Sequence, residues 1–316
     1  MKILITGGAG FIGSHLCEKL IELGHSIICY DNFSNGNLNN IRNLLCNKNF
    51  KLVEGDIRNK NLLEKTTNDI DYLFHLAGQI HVEHSLIRPM NTVENNIIGT
   101  INILELCREK KFGLTFASSA EVYGSCYEGG EHKETNHNIP MSPYASSKVS
   151  AEALCISYFH SYGLNIKIIR NFNTYGPRQK FVGYGAVIPI FVQRAINNKN
   201  LVIYGDGEQT RDFQYIDDAV DGYILSINIP AGTIFNTGSG KDISINKLAE
   251  LIIQNSDSNS KIIKEKERQG EVRKLKANIE LFKKLGGNPN VKMDDGIKKT
   301  IYWFKNDFDQ TLGFMQ

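Results

Sequence analysis

The stretch that decides the fold is Lys2-Ile-Leu-Ile-Thr6-Gly7-Gly-Ala-Gly10-Phe11-Ile12-Gly13, an apolar β-branched run followed by a glycine-rich turn. A helical pattern of apolar residues begins directly after it. In such a strand–turn–helix unit the first glycine permits a tight turn, the second lets backbone N–H groups approach a pyrophosphate, and the third lets the helix pack on the strand. The helix N-terminus also favours an anion. Residues 7–13 therefore predict a dinucleotide-binding turn, with Gly7, Gly10, Phe11, Ile12 and Gly13 as candidate cofactor contacts.

An acidic residue at the end of the second predicted strand indicates which dinucleotide would bind. That strand covers residues 26–30 and is followed by Asp31, 18 residues after Gly13. A carboxylate at this place can accept hydrogen bonds from the hydroxyl groups of the adenosine ribose, and it would repel a 2′-phosphate. The sequence therefore favours NAD over NADP as the cofactor.

Strand and helix patterns alternate throughout the first half of the chain. The predicted strands cover residues 2–6, 26–30, 50–54, 72–76, 114–118 and 165–170, and the longer amphipathic helices between them cover 14–23, 91–110 and 144–162. Strands separated by helices build parallel sheets with helices on both faces. We therefore expect an α/β fold, a Rossmann doubly wound parallel sheet, with a smaller and mostly C-terminal α/β domain that binds substrate.

The boundary between the two predicted domains lies near residue 172, where glycine and proline begin to interrupt the pattern. A helix predicted over residues 217–227 and a strand over 233–236 can return to the first sheet. The sequence thus predicts an NAD-binding domain of residues 1–172, to which 214–240 return. Residues 173–213 and 241–316 are expected to form the substrate-binding domain.

Composition excludes several classes of protein. The chain has 316 residues, of which 41% are hydrophobic and 22% charged, and its net charge is +2, values that are ordinary for a globular protein and too balanced for a dedicated nucleic-acid binder. Its apolar runs are shorter than the ~18 residues that span a bilayer. We therefore expect no nucleic acid and no membrane among its partners.

Cysteine and histidine spacing argues against structural disulfides and metal sites. The six cysteines are scattered without a Cys-x-x-Cys pair, which is typical of reduced thiols in a cytoplasmic protein. The one histidine cluster, His81-Val-Glu-His84, is explained by an ordinary loop or helix surface. No metal is expected.

A tyrosine and a lysine four residues apart carry the predicted chemistry. Tyr144 and Lys148 follow Pro143 at the start of a helical pattern, so their side chains share one helix face. An ordinary tyrosine has a pKa near ~10, and a nearby ammonium lowers it by stabilising the phenolate. Such a pair can remove a proton from an alcohol while hydride leaves the same carbon. Ser119, at the end of a predicted strand, is placed to bind the substrate oxygen.

Together these motifs resemble the extended short-chain dehydrogenase/reductases, specifically the nucleotide-sugar epimerase/dehydratase family, and are most similar to UDP-glucose 4-epimerase-type enzymes. The matching motifs span nearly the whole chain and lie at residues 7–13, 31–32, 55–58, 75–79, 96–100, 118–124, 144–148, 170–178 and 205–218. The resemblance implies NAD as cofactor, a nucleotide sugar, most often a UDP-sugar, as substrate, and a homodimer paired through residues 91–110 and the helix that begins at Tyr144.

The resemblance also implies roles for individual residues. In the cofactor site it places Asn32 beside Asp31 at the ribose, Asp56 and Ile57 at the adenine, and Ala77, Gly78 and Asn96 near the nicotinamide. It makes Ser119, Tyr144 and Lys148 the catalytic residues. For the substrate it implies contacts from Asn173, Val187, Ile188, Pro189 and Tyr204, and two guanidinium clamps on the diphosphate from Arg211 and Arg268, whose planar forks suit phosphate oxygens.

The sequence leaves two reaction classes open. Where the dehydratases of this family have Thr-Asp-Glu, this chain has Ser119-Ala120-Glu121. Ala120 cannot protonate a leaving hydroxyl group, which favours a 4-epimerase. Glu121, however, stands where dehydratases keep a base and where nucleotide-glucuronate decarboxylases keep a glutamate. Glu121 is therefore either a bystander or a working carboxylate.

Overall fold

The computed structural model describes residues 1–124, 130–181, 185–267 and 272–308. Its strands are β1 (Lys2–Thr6), β2 (Ser26–Asp31), β3 (Phe50–Glu54), β4 (Tyr72–His75), β5 (Gly113–Ser119), β6 (Ile166–Asn171), β7 (Asn173–Tyr175), β8 (Leu201–Tyr204), β9 (Thr210–Tyr215), β10 (Ile234–Thr237), β11 (Asp242–Ser244), β12 (Ile262–Glu265) and β13 (Lys274–Leu275).

The helices follow the same order along the chain. They are α1 (Phe11–Glu22), α2 (Lys60–Thr66), α3 (Val82–Ile87), α4 (Pro89–Val93), α5 (Gly99–Lys110), α6 (Pro143–Tyr162), α7 (Val187–Ile196), α8 (Ile216–Ser226), α9 (Ile245–Asn255), α10 (Glu280–Lys284) and α11 (Met293–Asn306). Two 3₁₀ turns cover Leu38–Leu44 and Ala120–Tyr123, and a π-helical turn covers Glu94–Ile98. No helix of the described segments is long and apolar enough to cross a membrane.

Seven parallel strands form the main sheet, in the order β10-β6-β5-β4-β1-β2-β3. The chain moves outward from β1 to β3 and then returns to β4 on the other side of β1. Such a reversal opens a crevice at the carboxyl ends of the strands, where doubly wound folds bind their ligands. The Rossmann-type α/β fold predicted from the sequence is confirmed.

Alternation along the buried strands places an apolar layer on each face of this sheet. In β1, Ile3 and Ile5 belong to one buried cluster and Leu4 belongs to the other. Successive side chains of a strand point to opposite faces, so a strand covered on both sides is apolar throughout. The same reason explains why the sequence pattern located these central strands within one or two residues.

Beyond β6 the chain builds smaller sheets. Strands β7, β9, β11 and β13 form one, and β8 pairs with β12 in another. In contrast, β10 pairs with β6 of the main sheet, and α8 packs against α1. These pairings support our proposed division, in which residues 214–240 go with the NAD-binding domain.

Two helix boundaries differ from the sequence prediction. Helix α1 begins at Phe11 instead of Ser14, because Gly10 takes the N-cap position and Gly13 lies within the first turn. The single helix predicted over 91–110 is interrupted by the π-helical turn Glu94–Ile98. A π turn accommodates an extra residue, and such turns often occur at functional sites.

Candidate active site

A cavity of about 900 Å³ opens at the carboxyl ends of the central strands. It is lined by most of the residues predicted from the sequence. These are Gly7, Gly10, Phe11, Ile12, Gly13, Asp31, Asn32, Ile57, Ala77, Gly78, Ser119, Glu121, Tyr144, Lys148, Asn173, Val187 and Ile188. The fold thus brings the candidate cofactor, catalytic and substrate residues to one crevice.

In the glycine-rich turn that lines the cavity, Gly7 and Gly13 leave no room for a Cβ. Gly7 has a positive φ of 72°, and its N–H donates to the Tyr30 carbonyl at 2.8 Å. A Cβ on Gly13 would lie 2.1 Å from the Gly7 carbonyl oxygen. Backbone and the start of α1 therefore form a cradle that suits a pyrophosphate.

Backbone donors hold the Asp31 carboxylate at the end of β2. One oxygen accepts the Ala9 N–H and the other accepts the Phe33 N–H, each at 2.9 Å. Burial raises the pKa of Asp31, and these hydrogen bonds oppose the rise. The carboxylate is thereby fixed beside the glycine-rich turn, at the place where an adenosine ribose would lie.

Asp56 does not line the cavity, and a neighbour that the sequence analysis missed takes its place. Its carboxylate accepts hydrogen bonds from Arg58 and, at 3.0 Å, from the Asn32 amide. The Arg58 guanidinium lowers the pKa of Asp56 to about 2. Arg58 itself lines the cavity. Asp56 thus orients Asn32 and Arg58 through these hydrogen bonds. Because its carboxylate oxygens already accept from Arg58, Asp56 has fewer lone pairs left to bind a ligand.

The candidate catalytic pair stands at the start of α6. Ser142 caps this helix by accepting the Ala145 N–H, and Pro143 occupies its first turn. Tyr144 is buried, and the nearby Ser119 hydroxyl acts to lower the pKa of Tyr144. Lys148 is also buried, and its ammonium donates to the Ala117 carbonyl at 2.8 Å. Ser119, Tyr144 and Lys148 therefore meet at the floor of the cavity.

The direction of the Tyr144 pKa differs from the sequence expectation. Burial raises the pKa of Tyr144 to about 12, and the negative charge of Glu121 adds to the rise. Burial also lowers the pKa of Lys148 to about 8, and its ammonium is bonded to the Ala117 carbonyl. Desolvation therefore sets the direction of the Tyr144 pKa, and Lys148, which the sequence expected to lower it, is not among the groups that shift it.

Asn96 does not line the cavity itself but binds Gln79, which does, so its predicted place near the nicotinamide stays a prediction. Its carboxamide accepts the Gln79 N–H at 2.7 Å and donates to the Gln79 carbonyl and to the Ser147 hydroxyl, each at 2.9 Å. A Cβ on Gly78 would lie 2.8 Å from the same Asn96 oxygen. Asn96, presented by the π-helical turn, thus ties the loop after β4 to helix α6, and glycine at 78 leaves room for it.

The predicted substrate residues divide into two groups. Asn173, Val187 and Ile188 line the cavity, whereas Pro189, Tyr204 and Arg211 do not. Pro189 is buried in the first turn of α7, and Arg211 donates to the Thr210 carbonyl at 2.9 Å. Arg268 lies outside the described residues. The proposed contacts of Tyr204, Arg211 and Arg268 with a substrate stay predictions.

Several cavity residues were given no role in the site by the sequence analysis. Gln79, His81, Asn35 and Lys180 all line the crevice, and Asn35 contacts both His81 and Lys180. Gln79 belongs to the motif at 75–79 and His81 to the histidine cluster, whereas the only signal of Asn35 and Lys180 in the sequence is that they follow strand ends. Among the residues that the structure describes, no three His, Cys, Asp or Glu side chains are grouped so as to hold a metal.

Known proteins match nearly the whole chain. Residues 4–300 match the family model described as GDP-mannose 4,6 dehydratase. A putative UDP-glucose 4-epimerase of Methanocaldococcus jannaschii is 39% identical and covers 96% of this chain and 99% of its own. UDP-glucuronic acid decarboxylase 1 of Xenopus tropicalis is 34% identical and covers 98% of this chain and 73% of its own.

A solved structure agrees with these matches. UDP-glucuronic acid 4-epimerase from Bacillus cereus, in complex with UDP-glucuronic acid and NAD, superimposes with a TM-score of 0.91 at 33% identity, covering 96% of this chain and 99% of its own. The resemblance read from the sequence motifs is confirmed. The chain belongs to the extended short-chain dehydrogenase/reductases, in the family of nucleotide-sugar epimerases, dehydratases and decarboxylases.

Proposed function

We propose that the chain is an NAD-dependent 4-epimerase of a UDP-hexose. The observation that carries this proposal is that Ser119, Tyr144 and Lys148 line one cavity, with Ala120, where a dehydratase would need an acid, lining it too. The similarity to the epimerases of M. jannaschii and B. cereus supports it. An apolar residue at 120 leaves alcohol oxidation and reduction intact while removing a donor for a leaving group.

NAD is the cofactor, and the residues present fit it. The glycine-rich turn at residues 7–13 suits its pyrophosphate, and the anchored Asp31 carboxylate suits its adenosine ribose. When bound, NAD supplies a hydride acceptor for C4 of the sugar and gives the hydride back within the same turnover. Ala77 and Gly78 border the part of the cavity next to Lys148.

The chain's own groups handle the proton. Tyr144 Oη takes the proton of the C4 hydroxyl group and later returns it, while Ser119 hydrogen-bonds the same C4 oxygen. With a pKa near 12 set by burial and Glu121, the phenol keeps its proton at neutral pH unless further positive charge is near it. Lys148 is already present in the structure in which this pKa is raised, so the further charge would have to come from the oxidised cofactor when it is bound.

The sugar has to turn within the site for the configuration to change. We infer that the substrate is held mainly by its nucleotide, with Asn173, Val187 and Ile188 on one side of the cavity and with Arg211 and Arg268 as diphosphate ligands. Binding energy gathered away from the reacting carbon lets the 4-keto sugar present either face. Tyr204 and Pro189 belong to the elements that would border the base.

A decarboxylase or dehydratase is the second candidate, because Glu121 lines the cavity and acts electrostatically on Tyr144. The X. tropicalis relative is named a decarboxylase. The decisive experiment is proton NMR of the purified protein with UDP-glucose, UDP-N-acetylglucosamine and UDP-glucuronate in turn. A C4 epimer of unchanged mass supports the epimerase. A pentose or a 4-keto-6-deoxy product overturns it and assigns the chemistry to Glu121.

We further propose that the chain forms a homodimer through residues 91–110 and helix α6, with α3 at the border of the same face. Leu86, Ile87 and Met90 are exposed apolar residues on α3 and α4, two helices that pack against α6. Large apolar side chains grouped at a surface favour a protein partner. Light scattering at micromolar concentration tests the dimer, and a stable monomer would refute it.

A further inference from the structure

A buried ion pair lies directly beneath the catalytic residues and outside the cavity. Arg170 of β6 and Glu152 of α6 are 4% and 1% exposed, and neither lines the crevice. The guanidinium donates from Nε at 3.0 Å and from Nη2 at 2.7 Å to the two carboxylate oxygens. Paired forks of this kind fix both partners in orientation as well as in distance.

The same guanidinium also binds the turn that follows Ser119. Its Nη1 donates to the Tyr123 hydroxyl at 3.0 Å, and Tyr123 in turn donates to the Asn236 side chain at 2.6 Å. The guanidinium carbon lies 4.8 Å from the centre of the Tyr123 ring. Tyr123 closes the 3₁₀ turn Ala120–Tyr123, which begins directly after Ser119 and contains Glu121.

Arg170 therefore spans the two halves of the catalytic set. Glu152 is one helical turn beyond Lys148 and two turns beyond Tyr144, so the three side chains share one face of α6. Tyr123 stands at the opposite end of the short turn from Ser119. We infer that Arg170, Glu152 and Tyr123 form a positioning strut that holds the Ser119 turn against helix α6 and so sets the position of Ser119 relative to Tyr144.

The inference rests on the proposed catalytic role of Ser119 and Tyr144, and it deepens that proposal by naming what aligns them. Local misplacement of a reacting group by a fraction of an ångström lowers the rate strongly, whereas nucleotide binding elsewhere in the cavity is unaffected. Loosening the strut should consequently lower kcat and leave KM and the bound NAD unchanged.

The test replaces the tyrosine and not the ion pair. Removing Arg170 would leave Glu152 as an unpaired buried charge and would strongly destabilise the protein. Tyr123→Phe removes only the hydroxyl that joins Arg170 to Asn236. Tyr72→Phe is a matched control, because Tyr72 is a buried tyrosine like Tyr123 but lies on β4, away from the cavity. Its hydroxyl bonds Thr115 at 2.7 Å and the Ser226 carbonyl at 3.3 Å.

We expect kcat of Tyr123→Phe to fall about five- to ten-fold with KM within about two-fold, while Tyr72→Phe keeps both constants. Hydrogen exchange of the Glu121 and Gly124 amides should quicken in Tyr123→Phe and not in Tyr72→Phe. Equal kcat and equal exchange in the two variants would overturn the strut. If the wild type converts no UDP-sugar, the proposed function fails, and the exchange comparison still decides whether the strut exists.

Discussion

At the scale of single residues, the Tyr144 hydroxyl is the group on which turnover depends. Tyr144→Phe removes the hydroxyl that carries the proton and keeps the ring. We expect turnover to fall by about 10²–10⁴, the usual contribution of general acid–base catalysis, with NAD still bound. Tyr158→Phe on the same helix is the control, because its hydroxyl bonds Glu105 on the surface of the protein. Steady-state rates and the NAD content of both variants check this, and an active Tyr144→Phe would refute the assignment.

Removing the charge of Glu121 is expected to affect the two candidate reactions in opposite ways. In a 4-epimerase, Glu121→Gln removes a charge that raises the pKa of Tyr144, so turnover should stay the same or rise up to about ten-fold. In a decarboxylase or dehydratase the same change removes a working carboxylate and should cost about 10²-fold or more. Rates with the substrate identified by NMR distinguish the two. Glu109→Gln, an exposed change on α5, should leave the rate unaltered.

Local spacing was sufficient to predict some of the site residues and insufficient for others. Tyr144 and Lys148 follow from an i,i+4 pair on a helix, and Ser119 follows from the end of a strand. The direction of the Tyr144 pKa could not be predicted, because it depends on burial by residues distant in sequence. Arg58 was given no role for a related reason, since only the structure shows that it donates to the Asp56 carboxylate and lines the cavity.

At the scale of elements, the first βα unit depends on the absence of a side chain at one position. In Gly13→Ala the new Cβ would lie 2.1 Å from the Gly7 carbonyl oxygen and 2.8 Å from Gly8 Cα, both backbone atoms that cannot move independently. We expect α1 to shift away from β1, the purified protein to lose its NAD, and stability to fall by about 1–3 kcal/mol. Absorbance of the cofactor released on denaturation, together with thermal unfolding, measures both effects.

Glu22→Ala in the same helix provides the comparison. Glu22 is exposed, and its ion pair with Lys19 at 3.2 Å lies on the surface, where such pairs contribute little. We expect this variant to keep its NAD and to change in stability by less than about 0.5 kcal/mol. If Gly13→Ala binds NAD as well as Glu22→Ala does, close packing at the turn is not what makes the cofactor site.

The elements that could be predicted from the sequence are the strands of the main sheet, which are buried on both faces and therefore form short, continuous apolar runs. β1 and β3 were located to the residue, because their boundaries coincide with turn residues. The π-helical turn Glu94–Ile98 could not be foreseen, because it depends on the bonds that Asn96 makes to Gln79 and Ser147, residues far from it in the chain. Helical periodicity alone reads such a segment as one continuous helix.

At the scale of the whole molecule, one buried histidine links three parts of the fold. His75 is fully buried in β4. Its Nε2 lies 3.1 Å from the Thr100 hydroxyl, which donates to the Asn96 carbonyl at 2.6 Å and so must accept from the ring. Its Nδ1, 2.8 Å from the Thr6 hydroxyl, is then the acceptor of a neutral imidazole. Burial lowers the pKa of His75 to about 3, below its ordinary value of 6.5.

This pKa predicts how the stability of the protein depends on pH. Between about pH 6 and 4 the unfolded chain binds a proton at His75 that the folded chain does not, so this residue makes the free energy of unfolding fall by about 1.4 kcal/mol for each pH unit of acidification. His75→Gln should be less stable at pH 7, and its dependence on pH in this range should be shallower by that amount. Urea unfolding of the wild type and of His75→Gln at a series of pH values measures the slopes. Parallel slopes for wild type and His75→Gln would show that the imidazole takes up its proton in the folded protein, and the hydrogen-bonded chain from Thr6 to Asn96 would then have to be rearranged.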